Sequence, residues 1–313
     1  MTDFLDRAIA LAETTLGRAH PKPDVGAVLV RDGQVVGEGS TEAGGRHGEI
    51  VALDAAGEAA LGATLYVTME PCAHHGSTPP CADAVIAAGV AKVVVGSRDP
   101  NPVAAGGVEL LRESGVEVEL ADSFAARALT ESWRTWVTEA RPFVTLKVAV
   151  TLDGRVTVPG TPWVTGEGSR RRVHELRARC DAVAVGMGTV RADRPRLDAR
   201  EVDAPRQPRR LAFGRGPLPE GSDLELRTGS LEDELRALAA DGVQSLLLEG
   251  GPTLATAFLR DGLVDKLLLF VAPTVAGAGL RLLGELPAPV PLARLTAEPI
   301  GEDVLLTAYV HEP

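Results

Sequence analysis

Cysteine is scarce in this sequence, with three among 313 residues. So few thiols build no disulfide framework, and a reducing compartment, the cytoplasm, is the expected setting. Aromatic residues make up only 4% of the chain, so a core must come from Leu, Val and Ala, and the 45% hydrophobic content supports a sizeable one. Long apolar runs are missing too. None nears the roughly 18–20 residues of a membrane span, so no membrane partner is expected. The start, Met1-Thr2-Asp3-Phe4, has no basic block followed by an apolar one, which argues against a secretion signal. Positive charge is also short: the net charge is −11, and residues 1–141 carry 11 basic against 20 acidic side chains. Residues 142–313 are closer to balance, with 21 and 23. An acidic first half offers no basic track for a polyanion, which excludes nucleic acid and leaves a small-molecule partner.

What is present gathers between His47 and Cys81. The stretch holds His47-Gly48-Glu49, then Glu70-Pro71-Cys72, then eight residues, then Cys81. One imidazole and two thiolates are three ligands for a tetrahedral zinc, and the fourth position is left for water. Zinc lowers the pKa of such a water to about 7, and a carboxylate beside it can move protons. His-x-Glu followed by Pro-Cys is similar to the pattern of zinc-dependent base deaminases, which expel ammonia from an amidine-like ring carbon. A closed structural zinc site is the rival reading, with His74 or Cys180 as fourth ligand and His74 or His75 competing with His47.

Periodicity places these residues at the ends of elements. Apolar positions from Ile50 to Ala56 predict that His47 and Glu49 open a helix. Thr64 to Thr68 reads as a strand delivering Cys72, and Cys81 opens a helix to Ala88. Around them the pattern predicts a helix Asp3–Leu16 and a hairpin, Val25–Val30 and Gln34–Glu38, turning at Asp32-Gly33. A strand Lys92–Val95, a helix Val103–Ser114, a strand Val116–Leu120 and a single helix Asp122–Glu139 follow. Arg141-Pro142 breaks the pattern, and a domain boundary is expected there, dividing 1–141 from 142–313. The second half alternates strands (Phe143–Val150, Ala182–Val185, Leu211–Phe213, Ser245–Leu248, Lys266–Val271) with helices within Trp163–Arg179, Leu231–Ala240 and Thr253–Leu259. Val304–Val310 reads as a final edge strand. Both halves are therefore α/β, the first with three layers.

Two glycine turns follow buried strands in the second half: Gly186-Met187-Gly188-Thr189 and Glu249-Gly250-Gly251-Pro252-Thr253. Glycine lets backbone approach a ligand, and the helix start after the second turn presents free N–H groups to a phosphate. Neither matches the dinucleotide fingerprint, because Arg191 stands where its third glycine would be. A glycine turn alone does not separate phosphate binding from loop closure.

Taken together, the sequence resembles the bifunctional riboflavin-biosynthesis deaminase/reductase family over nearly its whole length. The resemblance rests on His20-Pro21-Lys22-Pro23-Asp24-Val25-Gly26, on the two metal motifs with their eight-residue cysteine gap, and on Asp99-Pro100-Asn101-Pro102. Further on it rests on Lys147, Thr151-Leu152-Asp153-Gly154-Arg155, Gly188 to Asp193, and Glu249 to Leu254. It implies a cytidine-deaminase-like α/β/α domain followed by a dihydrofolate-reductase-like α/β domain. The first would deaminate a diamino-ribosylamino-pyrimidinone 5′-phosphate using zinc on His47, Cys72 and Cys81 with Glu49 as catalytic acid–base. The second would use NADPH to reduce ribosylamino to ribitylamino. Cofactor contacts carried over are Ala149, Trp163, Thr189, Asp193 and the run Gly251, Pro252, Thr253, Leu254, Ala255, Thr256, Ala257. Substrate contacts carried over are Thr161, Arg177, Leu197, Arg200 and Glu249. Self-association into a homo-oligomer is the family tendency.

The chain departs from the family pattern in places. Lys22 stands where Asn is usual and offers donors only, Gly48 stands where Ala is common, and Arg194 replaces an Asp. Arg215 lies near the place of a Ser beside the cofactor, in a loop (201–227) shorter than usual. An Arg there suits the 2′-phosphate of NADPH. Against this reading stand three others: a tRNA or DNA deaminase, which predicts a two-residue cysteine gap and a basic surface; a zinc-stabilised binding protein; and a paralogue with one active domain or a modified pyrimidine substrate.

Overall fold

The computed structural model describes residues 2–75 and 79–313, so 76–78 of the motif between the cysteines lie outside the described residues. The chain divides into two compact units, one running to Glu139 and taking in Pro313, the other Ala140–Glu312.

The first unit runs α1 (Thr2–Glu13), β1 (Gly26–Arg31), β2 (Gln34–Ser40), α2 (Gly48–Ala56), β3 (Thr64–Val67), α3 (Cys81–Ala87), β4 (Lys92–Val95), α4 (Gly107–Glu113), β5 (Glu117–Leu120), α5 (Phe124–Leu129) and α6 (Glu131–Glu139). Its sheet has the order β2-β1-β3-β4-β5. β1 is antiparallel to both neighbours, whereas β3, β4 and β5 are parallel. Side chains alternate across a strand, and here both faces are apolar. Ala27, Leu29, Leu65, Val67, Val93 and Val95 pack with Ala52, Val85 and Leu111 of α2, α3 and α4. Val28, Val30, Tyr66 and Val94 pack on Leu5, Ala8 and Ile9 of α1 and Ala126 of α5. Burying each such Val or Leu stabilises by about 1.5–3 kcal/mol, and two buried faces demand helices on both sides. That is the three-layer arrangement.

Asp32 and Gly33 have φ of 52° and 75°, the left-handed pair that a two-residue hairpin turn needs. Two expectations shift. The helix expected from Val103 begins only at Gly107, because Gly106 sits at φ 106°. The single helix expected over 122–139 is two, because Thr130 leaves helical geometry at φ −111° and ψ 20°. Its N–H and its hydroxyl both turn back to the Arg127 carbonyl, closing α5.

The second unit runs β6 (Phe143–Thr151), α7 (Glu167–Arg179), β7 (Ala182–Gly186), α8 (Met187–Asp193), β8 (Arg209–Phe213), β9 (Glu225–Arg227), α9 (Leu231–Ala240), β10 (Ser245–Leu248), α10 (Pro252–Arg260), β11 (Lys266–Ala272), β12 (Ala293–Ile300) and β13 (Asp303–Tyr309). The sheet order is β12-β13-β11-β6-β10-β7-β8-β9. β11 to β9 are parallel neighbours, and β13 and β12 add antiparallel. Chain order therefore places β10 back between β6 and β7, and the ends of these three strands share one edge. Leu146, Val148, Ala184, Leu211, Leu246 and Leu248 form the core with Leu235, Leu238 and Phe258 of α9 and α10. Arg141 grips Asp265 with two 2.7 Å hydrogen bonds, and the Val144 N–H donates to the same carboxylate at 2.7 Å. This buried pair ties the start of β6 to the start of β11.

The expected final edge strand is interior, since β13 pairs with β11 on one side and β12 on the other. β12 was missed because its sequence, Ala-Arg-Leu-Thr-Ala-Glu-Pro-Ile, is exposed at most positions and has no clean alternation. Pro299 within it marks an edge, where a missing donor costs no ladder bond. The helix expected within 163–179 opens at Glu167, leaving Trp163 before it. Its start is capped from afar. Asp303 accepts hydrogen bonds from the Gly166 N–H at 2.8 Å and the Ser169 hydroxyl at 2.5 Å. Among the described residues no helix is long and apolar enough to cross a membrane.

Candidate functional site

His47 is the N-cap of α2, in extended geometry, so its side chain leaves the helix at its mouth. Cys72 follows the end of β3, and Cys81 is the first residue of α3. The three are brought together. His47 Nδ1 lies 3.2 Å from Cys81 Sγ and 3.8 Å from Cys72 Sγ, and all three ligand atoms fall within 4.8 Å of one another. Tetrahedral zinc with bonds of roughly 2.0 Å to nitrogen and 2.3 Å to sulfur needs ligand atoms about 3.5–3.8 Å apart. The donor set fits. Among the described residues these three form the only such His, Cys, Asp or Glu group; His75 is exposed, and Cys180 is packed with Val183 and Val185 in the core of the second unit.

Gly48 is explained by packing. A Cβ there would stand 2.4 Å from the Val25 carbonyl oxygen, so the first turn of α2 lies directly on the chain entering β1. The small loss of helix propensity is offset by this close approach. Lys22, the other departure in this unit, donates from Nζ to the Gly45 carbonyl at 2.6 Å, two residues before His47.

Glu49 is 3% exposed, and its Oε2 has no hydrogen-bond partner within the protein. A buried carboxylate oxygen left bare is costly, so the geometry keeps an acceptor in reserve beside the ligands. Burial pushes the Glu49 carboxyl up to about 7, with His47 pulling it back. Cys72 is drawn down to about 4, first by its hydrogen bond with Cys81 against the cost of burial, and then by His47. The same pairing and burial push Cys81 up. One thiolate is thus prepared, and a cation between the sulfurs would release the second proton.

In the second unit Glu249 follows β10, its N–H bonded to the Ala184 carbonyl at 2.8 Å. Arg177, in the last turn of α7, holds Glu249 by two hydrogen bonds of 2.6 and 3.0 Å. Lys147 of β6 stands 3.7 Å from the same carboxylate. Burial would raise the Glu249 carboxyl, yet Lys147 and Arg177 hold it below its ordinary value. Burial lowers the Lys147 ammonium, with Glu249 opposing. Arg177 is no solvated surface charge: its side chain is 12% exposed and also donates to the Asp198 carbonyl. In sequence Lys147 belongs to the resemblance motif alone. Its inward position on a buried strand was the signal available.

The segment 197–200 is strapped to α7. Arg200 pairs with Asp198 at 2.6 Å, and His174 lies against the Asp198 carbonyl and the Arg200 N–H. Leu197 has φ 55° and is 2% exposed, with its side chain in the core around Val183 and Val190. Only its backbone is left to meet a ligand. Gly186-Met187-Gly188-Thr189 is the start of α8 rather than a free loop. A Cβ on Gly251 would lie 3.2 Å from Thr189 Oγ1, so the starts of α8 and α10 face each other. Gly251 caps α10 with Pro252 at its first turn, and such a start has N–H groups without helical acceptors. That suits a phosphate. Thr253, Leu254, Ala255, Thr256 and Ala257 continue this helix, while Asp193 is exposed at the far end of α8. Ala149 sits mid-strand on β6 opposite Phe270. Trp163 is 61% exposed under Arg170, and the Thr161 hydroxyl donates to the Trp163 carbonyl at 2.7 Å. These two stand on the loop before α7.

Comparison with known proteins separates the same two parts. Residues 1–97 match the cytidine and deoxycytidylate deaminase zinc-binding region, and residues 142–306 match the RibD C-terminal domain. The riboflavin biosynthesis protein RibD of Mycobacterium tuberculosis is 40% identical, covering 97% of this chain and 96% of its own. That of Aquifex aeolicus is 38% identical, covering 97% of each chain. Among solved structures, the diaminohydroxyphosphoribosylaminopyrimidine deaminase/5-amino-6-(5-phosphoribosylamino)uracil reductase of Thermotoga maritima is 36% identical with a TM-score of 0.86. It covers 98% of this chain and 97% of that one. A three-ligand centre in one unit and kinship over nearly the whole chain agree, and the chain belongs to the RibD family of bifunctional, zinc-binding deaminases and NADPH-dependent reductases of riboflavin biosynthesis.

Proposed function

We propose that residues 1–141 deaminate 2,5-diamino-6-ribosylamino-4(3H)-pyrimidinone 5′-phosphate and that residues 142–313 reduce the product's ribosylamino group to ribitylamino. The observation that carries the first step is the bare, buried Oε2 of Glu49 next to three converging ligand atoms. His47, Cys72 and Cys81 would hold zinc, which supplies a water acidic enough to lose a proton near neutrality. Glu49 Oε2 would carry two protons in turn, the first from that water to the ring nitrogen and the second from the hydroxyl added at the ring carbon to the amine, which leaves as ammonia. A carboxyl raised to about 7 is matched to both directions of transfer.

In the second step NADPH supplies the hydride. The start of α10, from Gly251 to Ala257, takes its phosphates, Thr189 flanks that cradle, Asp193 meets the cofactor from the other end of α8, and Ala149 and Trp163 line the rest. Arg177 and Arg200 address the ribose phosphate of the substrate, as forked donors suit. Glu249, held ionised by Arg177, accepts from sugar hydroxyls, and Lys147 keeps that charge balanced. Thr161 and the Leu197 backbone complete the substrate side.

The chain is proposed to work as a homo-oligomer in the cytoplasm. The open edge of β12, with Leu295 66% exposed, supports the first statement, and the scarcity of cysteine the second. A pyrimidine with an altered ring is the second reading, favoured by Lys22 on Gly45. Supplying the diaminopyrimidine phosphate to the purified protein tests both. Ammonia release followed by NADPH oxidation is expected; NADPH oxidation only on the deaminated compound would leave one active domain, and turnover of neither compound would point to the altered substrate.

A further inference from the structure

Glu70 is a carboxylate with no solvent exposure and no part in the proton transfers above. It stands two residues before Cys72, at the end of the chain that β3 delivers. Its oxygens are taken by backbone amides far away in sequence. Oε1 accepts from the Gly106 N–H at 3.1 Å and the Val108 N–H at 3.0 Å, and Oε2 accepts from the Asp99 N–H at 3.2 Å. Gly106, the N-cap of α4, has no side chain to cap with, so Glu70 serves that helix instead. The carboxylate also meets the positive end of the helix.

The same two segments interlock on either side of this charge. Glu70 N–H donates to the Ser97 carbonyl at 2.8 Å, and Ala73 N–H donates to the Ala104 carbonyl at 3.0 Å. A Cβ on Gly107 would stand 1.8 Å from the Pro71 carbonyl oxygen, so no side chain fits between them. Pro71 and Cys72 are therefore held between hydrogen bonds before and after them, with the 99–108 segment as the wall. Cys72 Sγ in turn receives the Cys81 N–H at 3.4 Å.

We propose that Glu70 is a positioning residue of the metal centre: by binding three amides of the 99–108 segment it sets where the Cys72 sulfur stands. A metal site displaced by a few tenths of an ångström loses geometry and affinity, and partners outside the ligand set tune both. This rests on the zinc reading of His47, Cys72 and Cys81, and the test keeps the two apart.

The full-length protein is loaded with cobalt(II), and its thiolate-to-cobalt absorption bands are recorded. Zinc affinity is measured by competition with a chelator. If the wild-type protein gives no thiolate band, the zinc reading fails, whatever Glu70 does. Given a wild-type band, Glu70→Gln replaces an acceptor with an amide that faces donors, and Glu70→Asp withdraws the carboxylate by one methylene. Zinc affinity is expected to fall at least tenfold in Glu70→Gln and less in Glu70→Asp, with shifted cobalt bands in both. Gly107→Ala, which presses on Pro71 with Glu70 intact, is expected to shift the bands too. A far-ultraviolet circular dichroism spectrum and a cooperative melting transition like those of the wild-type protein report that the first unit is folded; should Glu70→Gln not fold, Glu70→Asp carries the comparison. Wild-type bands and zinc affinity in the folded Glu70 variants, even with a lower melting temperature, would make Glu70 a fold residue only and overturn the proposal.

Discussion

The two sites are built in opposite ways. In the first unit three ligands reach one point from the ends of three adjacent elements, α2, β3 and α3. In the second unit the polar groups come from β6, the end of α7, the start of α8, the 197–200 segment and the turn from β10 into α10. A metal needs a few soft donors at fixed separations, and that requirement writes a compact motif. Recognition of phosphate and sugar needs surface, which topology assembles from whatever the strand ends carry. The first kind of site stands or falls by single residues; the second degrades by degrees.

The sharpest contrast comes from removing metal. Chelation followed by gel filtration is expected to abolish ammonia release while NADPH oxidation on the deaminated pyrimidine continues at its former rate. Loss of both activities would mean that the sites are not separable. Next in size is Glu49→Gln. Zinc content by atomic absorption should be unchanged, and deamination should fall by at least about a hundredfold, the span of general acid–base catalysis. Unchanged ammonia release in this variant would take the proton transfers away from Glu49.

This contrast also explains what could be read before any fold was known. The His47, Cys72 and Cys81 motif was legible because each ligand sits at an element end that local periodicity marks. The hairpin at Asp32-Gly33 was legible for the same reason: its turn chemistry is local. What escaped is held by distant partners. Asp303 caps α7 across 137 residues of sequence, and nothing around either residue signals it. β12 escapes because an exposed edge strand has no buried face to print an alternation, and without it β13 reads as the edge. Thr130 splits a helix that amphipathicity runs straight through. The resemblance implies a substrate contact for Leu197, yet only the structure places its side chain in the core. Arg177 and Glu249 are both singled out by the resemblance, but their pairing is not written in either segment and appears only when Glu249 arrives from the end of β10 beside the last turn of α7.

That pair supplies the third prediction. Arg177 and Glu249 are 12% and 10% exposed, and removing one partner of a buried pair costs about 3–5 kcal/mol. Arg177→Met should lower stability by about 3 kcal/mol in urea melts, because Lys147 at 3.7 Å still faces the carboxylate. Reduction should fall as well, with ammonia release intact. The pH dependence has a definite sign. Glu249 is held below its ordinary 4.5 in the folded state, so its stabilisation is present above that value and is lost as pH falls through the lower one. In Arg177→Met this acid-side loss should shrink. An unchanged urea midpoint in the variant would place the pair among surface charges, and the two sites would then differ less than their burial says.

The smallest expected effect lies at the rim of the second site. Arg215 follows the end of β8, beside β7, and its carbonyl accepts from Arg191 Nη2 of α8 at 2.8 Å. A Cβ on Gly214 would meet the Met187 side chain at 3.0 Å, so this turn lies over the start of α8, whose Thr189 faces Gly251. An exposed guanidinium in that position suits the 2′-phosphate that distinguishes NADPH from NADH. A charged hydrogen bond is worth about 1.5–3 kcal/mol when buried and less at an open rim. Arg215→Ala should therefore reduce the preference for NADPH over NADH by about tenfold, measured as the ratio of kcat/KM values, with NADH turnover unaltered. If the ratio does not move, Arg215 leaves the site, and the shortened 201–227 loop has no part in choosing the cofactor. If it moves by far more, the cradle is less diffuse than its many sources suggest, and one residue dominates it as Glu49 dominates the first site.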